Sequence, residues 1–258
     1  MCVNASPLPE PPLGVAKMSL NGKLVLITGA ARRVGHELAL AVARQGGDVV
    51  IHYGHSQMDA QNLCMEIEAL GRRAFLLHAD LYDPSRVETL VSRASEHGTL
   101  FALVNNAAIF EPLTWDTSSL DDWNRHLMVN LIVPFLLSQS FARLLPPGES
   151  GRIINLLDWR ALRPGTNHLP YTISKSALAA LTHSLAIAFA PRITVNGLAL
   201  GAVLPPNVGA VPEDIIKKVP AGRWAHLEEV SQALIFLLEG PAYITGEVIH
   251  IDGGRHLV

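Results

Sequence analysis

Short apolar runs alternate with longer amphipathic stretches from residue 22 to the end of the chain. Seven of these runs predict β-strands, at 23–28, 48–53, 73–79, 101–107, 151–157, 192–198 and 247–252. The runs lack strict alternation of polar and apolar residues, which is typical of parallel strands that are buried on both faces. The pattern therefore predicts an α/β fold, with a doubly wound parallel sheet of seven strands and helices on both faces.

The intervening stretches predict the helices and a single domain. One helix is expected to end near Gln45, another covers 57–70, a third follows Asp83, and a long one covers 119–145. A further helix lies between the fifth and sixth strands. Residues 1–20 are rich in proline and lack the continuous apolar segment of a secretory signal, so they predict a flexible tail before one domain at 21–258.

Composition excludes several classes of function. The net charge of −3 predicts no broad basic surface for nucleic acid. No continuous apolar run approaches the roughly 18 residues of a membrane span. The two cysteines, Cys2 and Cys64, cannot build a disulfide framework, and no Cys/His cluster has the spacing of metal ligands. We therefore expect a cytoplasmic protein that uses no metal, nucleic acid or membrane.

The first strand is followed directly by the sequence TGAARRVG, residues 28–35. Glycines between a strand and a helix let backbone N–H groups approach a pyrophosphate. The full G-x-G-x-x-G pattern is absent, so Gly29 and Gly35 are also compatible with a simple tight turn. Arg33 places a large cation where this turn would face a cofactor.

The end of the second strand discriminates between cofactors. An acidic residue there would hold the 2′-hydroxyl of NAD, but the sequence HYGHS, 52–56, contains none. His52, His55 and Ser56 offer hydrogen-bond donors for the 2′-phosphate of NADP instead. Arg32 offers a charge for the same phosphate, although it could be a solvated residue at the start of a helix. The pattern favours NADP(H).

Tyr171 and Lys175 are four residues apart, and Asp158 precedes the tyrosine by thirteen residues. On a helix, the tyrosine and lysine share one face. An ammonium close to the phenol is expected to lower its pKa from the ordinary value of about 10, which gives a proton donor for catalysis. An ionised Asp158 cannot donate a proton to a carbonyl oxygen and would repel an oxyanion.

These motifs together resemble the short-chain dehydrogenase/reductase family over nearly the whole chain from about residue 22. The resemblance rests on TGAARRVG, Asp80-Leu81, NNAA at 105–108, Asn130, YTISK at 171–175 and TGEVIHIDGG at 245–254. It implies a Rossmann-like fold, hydride transfer with a nicotinamide, and a homotetramer that uses helix 131–145 and the Tyr171 helix.

The resemblance implies specific roles for residues. Asp80 would contact the adenine, Asn130 would help to hold a proton-relay water, and Lys175 would also bind the nicotinamide ribose. The implied cofactor-binding residues are Gly29, Arg32, Arg33, Val34, Gly35, His52, Tyr53, His55, Ser56, Asp80, Leu81, Asn106, Ala107, Tyr171, Lys175 and Gly201.

Within the family the chain resembles the pteridine reductases. Most members have serine at the position of Asp158, whereas this branch has aspartate. The two arginines of AARRVG, the HY-x-x-S sequence and Phe110 also match, and the ending DGGRHL is similar to that of bacterial dihydromonapterin reductases. The branch implies a pterin sandwiched between the nicotinamide and Phe110. The implied substrate-binding residues are Arg33, Phe110, Asp158, Tyr171 and Leu204.

The sequence thus predicts an NADPH-dependent reductase that converts a dihydropterin of the dihydromonapterin, dihydrobiopterin or dihydrofolate type to the tetrahydro form. Ala108 and Leu200 depart from the usual residues of the branch and of the family, respectively. Phe110 could instead plug the core, and Asp158 could cap a loop. The alternatives are a reductase of ketones or 3-oxoacyl substrates and a non-catalytic NADP(H)-binding regulator.

Overall fold

The computed structural model describes residues 20–204 and 214–258. Its seven strands form one parallel sheet with the order β3-β2-β1-β4-β5-β6-β7. They are β1 Leu24–Ile27, β2 Asp48–Tyr53, β3 Ala74–His78, β4 Leu100–Asn105, β5 Gly151–Asp158, β6 Ile193–Leu200 and β7 Val248–Ile251. Every residue of β1, β2 and β5 is buried, which explains why these runs do not alternate. The predicted fold is confirmed.

The helices cover both faces of the sheet. They are α1 Arg33–Arg44, α2 Gln57–Ala69, α3 Pro84–Glu88, α4 Leu90–Ser95, α5 Leu120–Leu127, α6 Val133–Leu144, α7 Leu169–Phe189, α8 Asp214–Lys217 and α9 Leu227–Glu239. Side chains of α1, α2 and α9 pack in one apolar cluster, and those of α3, α4, α6 and α7 pack in a second cluster. The strand order reverses between β1 and β4, which is where doubly wound sheets bind ligands at the carboxyl ends of their strands.

The predicted long helix at 119–145 has a break in its hydrogen-bond pattern. A π-helical turn, Met128–Ile132, separates α5 from α6. The whole segment, Leu120–Leu144, is long and apolar enough to cross a membrane by length and composition alone, so the exclusion based on continuous apolar runs was too strong. Val133, Leu137 and Phe141 nevertheless pack against the sheet in the second cluster. This face of α6 is therefore part of the domain core.

Two expectations about organisation need correction. Residues 1–19 of the predicted tail lie outside the described residues, but Leu20 is only 2% exposed and belongs to the core. Its N–H donates to the Gln45 carbonyl, so the domain includes this residue. No helix was predicted between the sixth and seventh strands. Because β6 and β7 are parallel, they need a crossover connection, and α9 provides its helix.

Candidate active site

Asp158 and Tyr171 meet at the carboxyl edge of the sheet. Asp158 is the last residue of β5, and Tyr171 lies in the first turn of α7. The Tyr171 hydroxyl donates a hydrogen bond to Asp158 Oδ2 at 3.1 Å. Both residues are buried. The spacing of thirteen residues thus places the phenol and the carboxylate in direct contact.

The predicted effect of Lys175 on Tyr171 is wrong for this structure. Burial first, and then the charge and hydrogen bond of Asp158, raise the Tyr171 pKa well above 10. The Lys175 ammonium donates to the Leu156 carbonyl and lies 5.9 Å from the centre of the Tyr171 ring. Burial lowers the Lys175 pKa to about 8. Tyr171 therefore stays protonated at neutral pH, and Asp158 accepts its proton in a hydrogen bond.

Arg160 belongs to the site but was not among the residues predicted from the sequence. Its backbone N–H donates to Asp158 Oδ1 at 2.9 Å, and its Nη1 donates to the same oxygen at 3.2 Å. The first bond closes the 3₁₀ turn Trp159–Ala161, so Asp158 also has the loop-capping role considered as the alternative. The only feature of the sequence that could have indicated this role is a cation two residues after the aspartate, in the segment DWR at 158–160.

Phe110 presents an aromatic surface beside this cluster. Its side chain is 52% exposed, which contradicts the alternative of a core plug. The ring stacks on His168 at 4.1 Å and meets the edge of Tyr171 at 4.7 Å. The Arg160 guanidinium lies 5.5 Å from the ring centre. A flat, exposed ring fixed next to Tyr171 can support a planar substrate.

Asn130 positions the loop that carries Phe110. It is fully buried in the π-helical turn, and its Oδ1 accepts the Ile109 N–H at 2.9 Å. Its Nδ2 donates to the Ile109 carbonyl and to Ser174 Oγ. These bonds use both N–H donors of the side-chain amide, so the side chain could hold the predicted relay water only by accepting a second hydrogen bond at Oδ1.

The glycine turn forms a close-packed cradle. A Cβ on Gly29, whose φ is +61°, would lie 3.0 Å from Ala107 Cα, and one on Gly35 would collide with the Gly29 carbonyl oxygen. Asn106 Nδ2 donates to the carbonyls of Thr28 and Gly29 and ties the turn to the end of β4. Backbone therefore forms the surface here, as the close approach of a pyrophosphate requires.

Two residues of this turn have roles that the sequence did not reveal. Thr28 Oγ1 accepts the N–H groups of Asn106 and Ala107, both at 3.0 Å. Arg33 has a φ of +55°, a region that residues other than glycine seldom adopt. It precedes Val34 at the start of α1, where backbone N–H groups lack partners within the helix. Strained backbone of this kind is often found at ligand sites.

His52 is not available to a 2′-phosphate, which corrects its predicted role. Its ring is buried, Nδ1 accepts the Gly29 N–H at 3.0 Å, and Nε2 bonds the Ala79 carbonyl at 3.1 Å. Burial lowers its pKa to about 4, so it stays neutral. Tyr53 is also buried, with its ring 5.4 Å from that of His78. His52 therefore fixes the conformation of the glycine turn.

The other predicted phosphate ligands lie on the surface at the ends of β1 and β2. Arg32 is 65% exposed and pairs with Asp59 at 2.6 Å, so its side chain points toward α2. Ser56 is the N-cap residue of α2 but makes no capping bond with its side chain, and His55 is exposed. This arrangement fits the distal phosphate of NADP(H), because a cation, a hydroxyl and a helix N-terminus come together.

The remaining predicted residues lie around the same edge. Asp80 follows β3 and accepts the Tyr82 N–H, and Leu81 is buried. A Cβ on Gly201 would lie 2.5 Å from Asp252 Cα, and Leu204 packs against the core. No group of three His, Cys, Asp or Glu side chains suited to a metal ion occurs in the part of the chain that the structure describes.

A buried tyrosine and lysine, next to a glycine turn at the switch point of a doubly wound sheet, define a nucleotide-dependent oxidoreductase. Comparison with known proteins gives the family. A family model described as enoyl-(acyl carrier protein) reductase matches residues 29–256. A 3-oxoacyl-[acyl-carrier-protein] reductase of Synechocystis sp. is 31% identical over 243 residues, which cover 92% of this chain and 98% of the relative. The chain belongs to the short-chain dehydrogenase/reductase family.

Solved structures agree with this assignment. The FolM alternative dihydrofolate reductase 1 of Brucella canis, complexed with NADP, is 34% identical, with a TM-score of 0.86 over 94% of this chain and 97% of that chain. A short-chain dehydrogenase of Burkholderia cenocepacia in complex with NADP is 37% identical, with a TM-score of 0.86 over 92% of this chain and 98% of that one. The similarity extends over essentially the full length of both proteins.

Proposed function

We propose that the protein is an NADPH-dependent reductase of a dihydropterin, of the dihydromonapterin, dihydrobiopterin or dihydrofolate type. The observation that carries this proposal is the Asp158 carboxylate, which shares a hydrogen bond with Tyr171 beside the exposed Phe110 ring. A carboxylate accepts N–H groups, which a pterin has in its ring and amino group. The aromatic ring offers the flat surface on which such a heterocycle can stack.

The choice of NADPH rests on the glycine turn and on the cluster around Arg32. The two NADP complexes among the similar structures support it. The close-packed glycines leave room for a pyrophosphate, and Arg32 and Ser56 suit the 2′-phosphate. When bound, NADPH supplies a hydride to the carbon of a C=N bond.

Tyr171 would donate the proton that the adjacent nitrogen gains. Its raised pKa keeps the phenol protonated until the substrate nitrogen becomes basic. Asp158 would hold an N–H of the substrate and orient the ring. Arg160 offsets the charge of Asp158, which reduces its repulsion of the negative charge that develops on the phenol oxygen. Lys175 is buried, and its ammonium lies 5.9 Å from the centre of the Tyr171 ring.

The reduction of a ketone or 3-oxoacyl substrate is the second candidate, because the curated relative from Synechocystis has that activity in its name. Asp158 opposes it. A carbonyl oxygen that gains negative charge next to this carboxylate would be destabilised, since the ionised group has no proton to donate.

NADPH consumption with a panel of substrates tests the proposal. We expect turnover with 7,8-dihydropterins and at least tenfold lower kcat/KM with activated ketones and 3-oxoacyl thioesters, a difference of about 1.4 kcal/mol in transition-state stabilisation. Preferential reduction of a ketone or 3-oxoacyl thioester would refute the pterin assignment. NADPH binding without turnover of any substrate would instead support the regulatory alternative.

A homotetramer is proposed as the assembly. Phe135 on α6 is 37% exposed, and Ile173 and Ile187 on α7 are 41% and 82% exposed. Large apolar side chains exposed on neighbouring helices are typical of subunit interfaces. These two helices are also the ones that the family resemblance places at subunit contacts.

A further inference from the structure

A basic cavity of about 270 Å³ opens next to the catalytic carboxylate. It lies between the loop after β5, the residue after α8 and the 3₁₀ turn Arg255–Leu257. Its lining residues are Trp159, Arg160, Arg163, Gly165, Thr166, Asn167, Lys218, Arg255 and Val258. Pockets that enclose a whole ligand typically measure about 300–1,000 Å³, so this cavity suits one end of a substrate.

The ionisable side chains that line the cavity are all cationic. Four of its lining residues, Arg160, Arg163, Lys218 and Arg255, carry cationic side chains, and none of the lining residues is Asp or Glu. Within the described ranges, neither Arg163 nor Lys218 forms an ion pair. Bringing like charges together costs electrostatic free energy, which a bound anion would offset. The concentration is local, because the chain as a whole has a net charge of −3.

Rigid contacts hold two of these cations in place. The Arg255 guanidinium lies 4.4 Å from the centre of the Trp159 ring, and that of Arg160 lies 5.0 Å from it. Such cation–π contacts restrict the orientation of a guanidinium without using its N–H donors. The donors of Arg255 therefore remain available to a ligand.

Arg160 connects the cavity to the reacting groups. It lines the cavity, bonds Asp158 at 3.2 Å and lies 5.5 Å from the Phe110 ring. Arg160 thus links the Phe110 ring, on which a heterocycle could stack, to the cavity.

We propose that this cavity binds the negatively charged side chain of the substrate, through a carboxylate or a phosphate. The proposal rests on the proposed function and gives its substrate class: the enzyme prefers dihydropterins with an anionic side chain to those with a neutral one. Arg163, Lys218 and Arg255 contact the anion, and Arg160 lies between the anion and the ring.

Steady-state kinetics with three substrates tests this subsite. The substrates are dihydrofolate, a dihydropterin with a phosphate ester on its side chain, and the neutral dihydrobiopterin. We expect the double variant Arg163→Gln/Lys218→Gln to lower kcat/KM about tenfold for at least one anionic substrate, mainly through KM, since two exposed charge contacts each contribute modestly. The value for dihydrobiopterin should change less than about twofold, because it has no charge for these side chains to contact.

The control is Arg86→Gln, which removes an exposed cation on α3, outside the cavity. This variant should leave kcat/KM unchanged for all three substrates. Higher ionic strength should raise KM for the anionic substrates of the wild-type enzyme and have less effect on the double variant. A loss confined to dihydrofolate assigns the cavity to carboxylates, and one confined to the ester assigns it to phosphate. An equal effect on all three substrates, or none, overturns the subsite while leaving pterin reduction intact. A wild-type enzyme that reduces none of the three overturns the proposed function as well.

Discussion

Replacing Asp158 with serine tests the central feature of the proposed mechanism. The substitution removes a buried carboxylate that accepts hydrogen bonds from the Tyr171 hydroxyl at 3.1 Å and from Arg160 Nη1 at 3.2 Å. It replaces an acceptor with a hydroxyl that can donate to a carbonyl oxygen. We expect dihydropterin turnover to be lost and NADPH affinity to stay nearly unchanged, because the glycine turn and Arg32 are untouched.

The expected magnitude separates catalysis from stability. Losing one positioned group in proton transfer costs about 10²–10⁴ in rate, or about 2.7–5.5 kcal/mol. Hydrogen bonds to a charged acceptor contribute about 1.5–3 kcal/mol each to the stability of the folded protein. The variant also avoids the cost of burying a charge, so we expect a net destabilisation of about 1–3 kcal/mol. Domains are typically stable by about 5–15 kcal/mol. The variant should therefore remain folded, and unfolding would not explain a hundredfold loss.

Three measurements follow: single-turnover NADPH oxidation with a dihydropterin, fluorescence titration with NADPH, and ultraviolet titration of the tyrosines. The last reports the pKa of Tyr171, which should fall in the variant because the charge and hydrogen bond of Asp158 help to raise it. Tyr171→Phe identifies its signal among the four tyrosines. Asp48→Ser is a matched control. It removes a buried carboxylate paired with Arg72 and Arg73 at the amino end of β2, and should lower stability without abolishing turnover.

Wild-type turnover of dihydropterins by Asp158→Ser would refute the reasoning. The carboxylate would then serve only to cap the Trp159–Ala161 turn, and the pterin assignment would lose the observation that carries it. A loss of NADPH affinity equal to the loss of rate would also contradict it, because the effect would then not be confined to the substrate side.

Three further predictions concern the cofactor, the buried lysine and the assembly. NADPH should bind at least tenfold more tightly than NADH, a difference of about 1.4 kcal/mol in binding free energy, and Arg32→Ala should remove most of this difference. Equal dissociation constants of the wild type for the two cofactors in fluorescence titrations would contradict the prediction. Burial lowers the Lys175 pKa to about 8, so the folded protein loses the Lys175 proton at a lower pH than the unfolded chain does. The free energy of unfolding of the wild-type apoprotein, measured relative to that of Lys175→Met, should therefore rise as the pH increases above 8, by at most about 1.4 kcal/mol per pH unit. Parallel curves of denaturant stability against pH for the two proteins would disprove it. Light scattering of the wild type should give a particle mass four times the chain mass of 27.9 kDa, and Phe135→Asp or Ile173→Asp should reduce this particle mass. A wild-type particle of 27.9 kDa would exclude the tetramer.

The fold was predictable because its determinants are local. Runs such as LVLI and DVVIHY are apolar throughout, since both faces of these strands are covered, and helices separate them along the chain. The prediction missed α9, although the parallel pairing of β6 and β7 requires a crossover there. Spacing likewise predicted that Tyr171 and Lys175 share one face of a helix, and the family resemblance implied that Asp158 belongs to the same site. The structure brings Asp158 to Tyr171 because the thirteen-residue interval connects the end of β5 to the first turn of α7.

Only the tertiary structure decided how these groups interact. His52 was predicted to bind phosphate, but β2 turns it inward, where its two nitrogens bind backbone from the glycine turn and from the residue after β3. Lys175 was expected to lower the pKa of Tyr171, yet burial and Asp158 raise it, and the Lys175 ammonium bonds the Leu156 carbonyl. Residues of the basic cavity are separated by more than 90 positions, from Arg160 to Arg255. Sequence patterns identify side chains and their spacing along one element, whereas burial, charge partners and long-range proximity depend on how the elements pack.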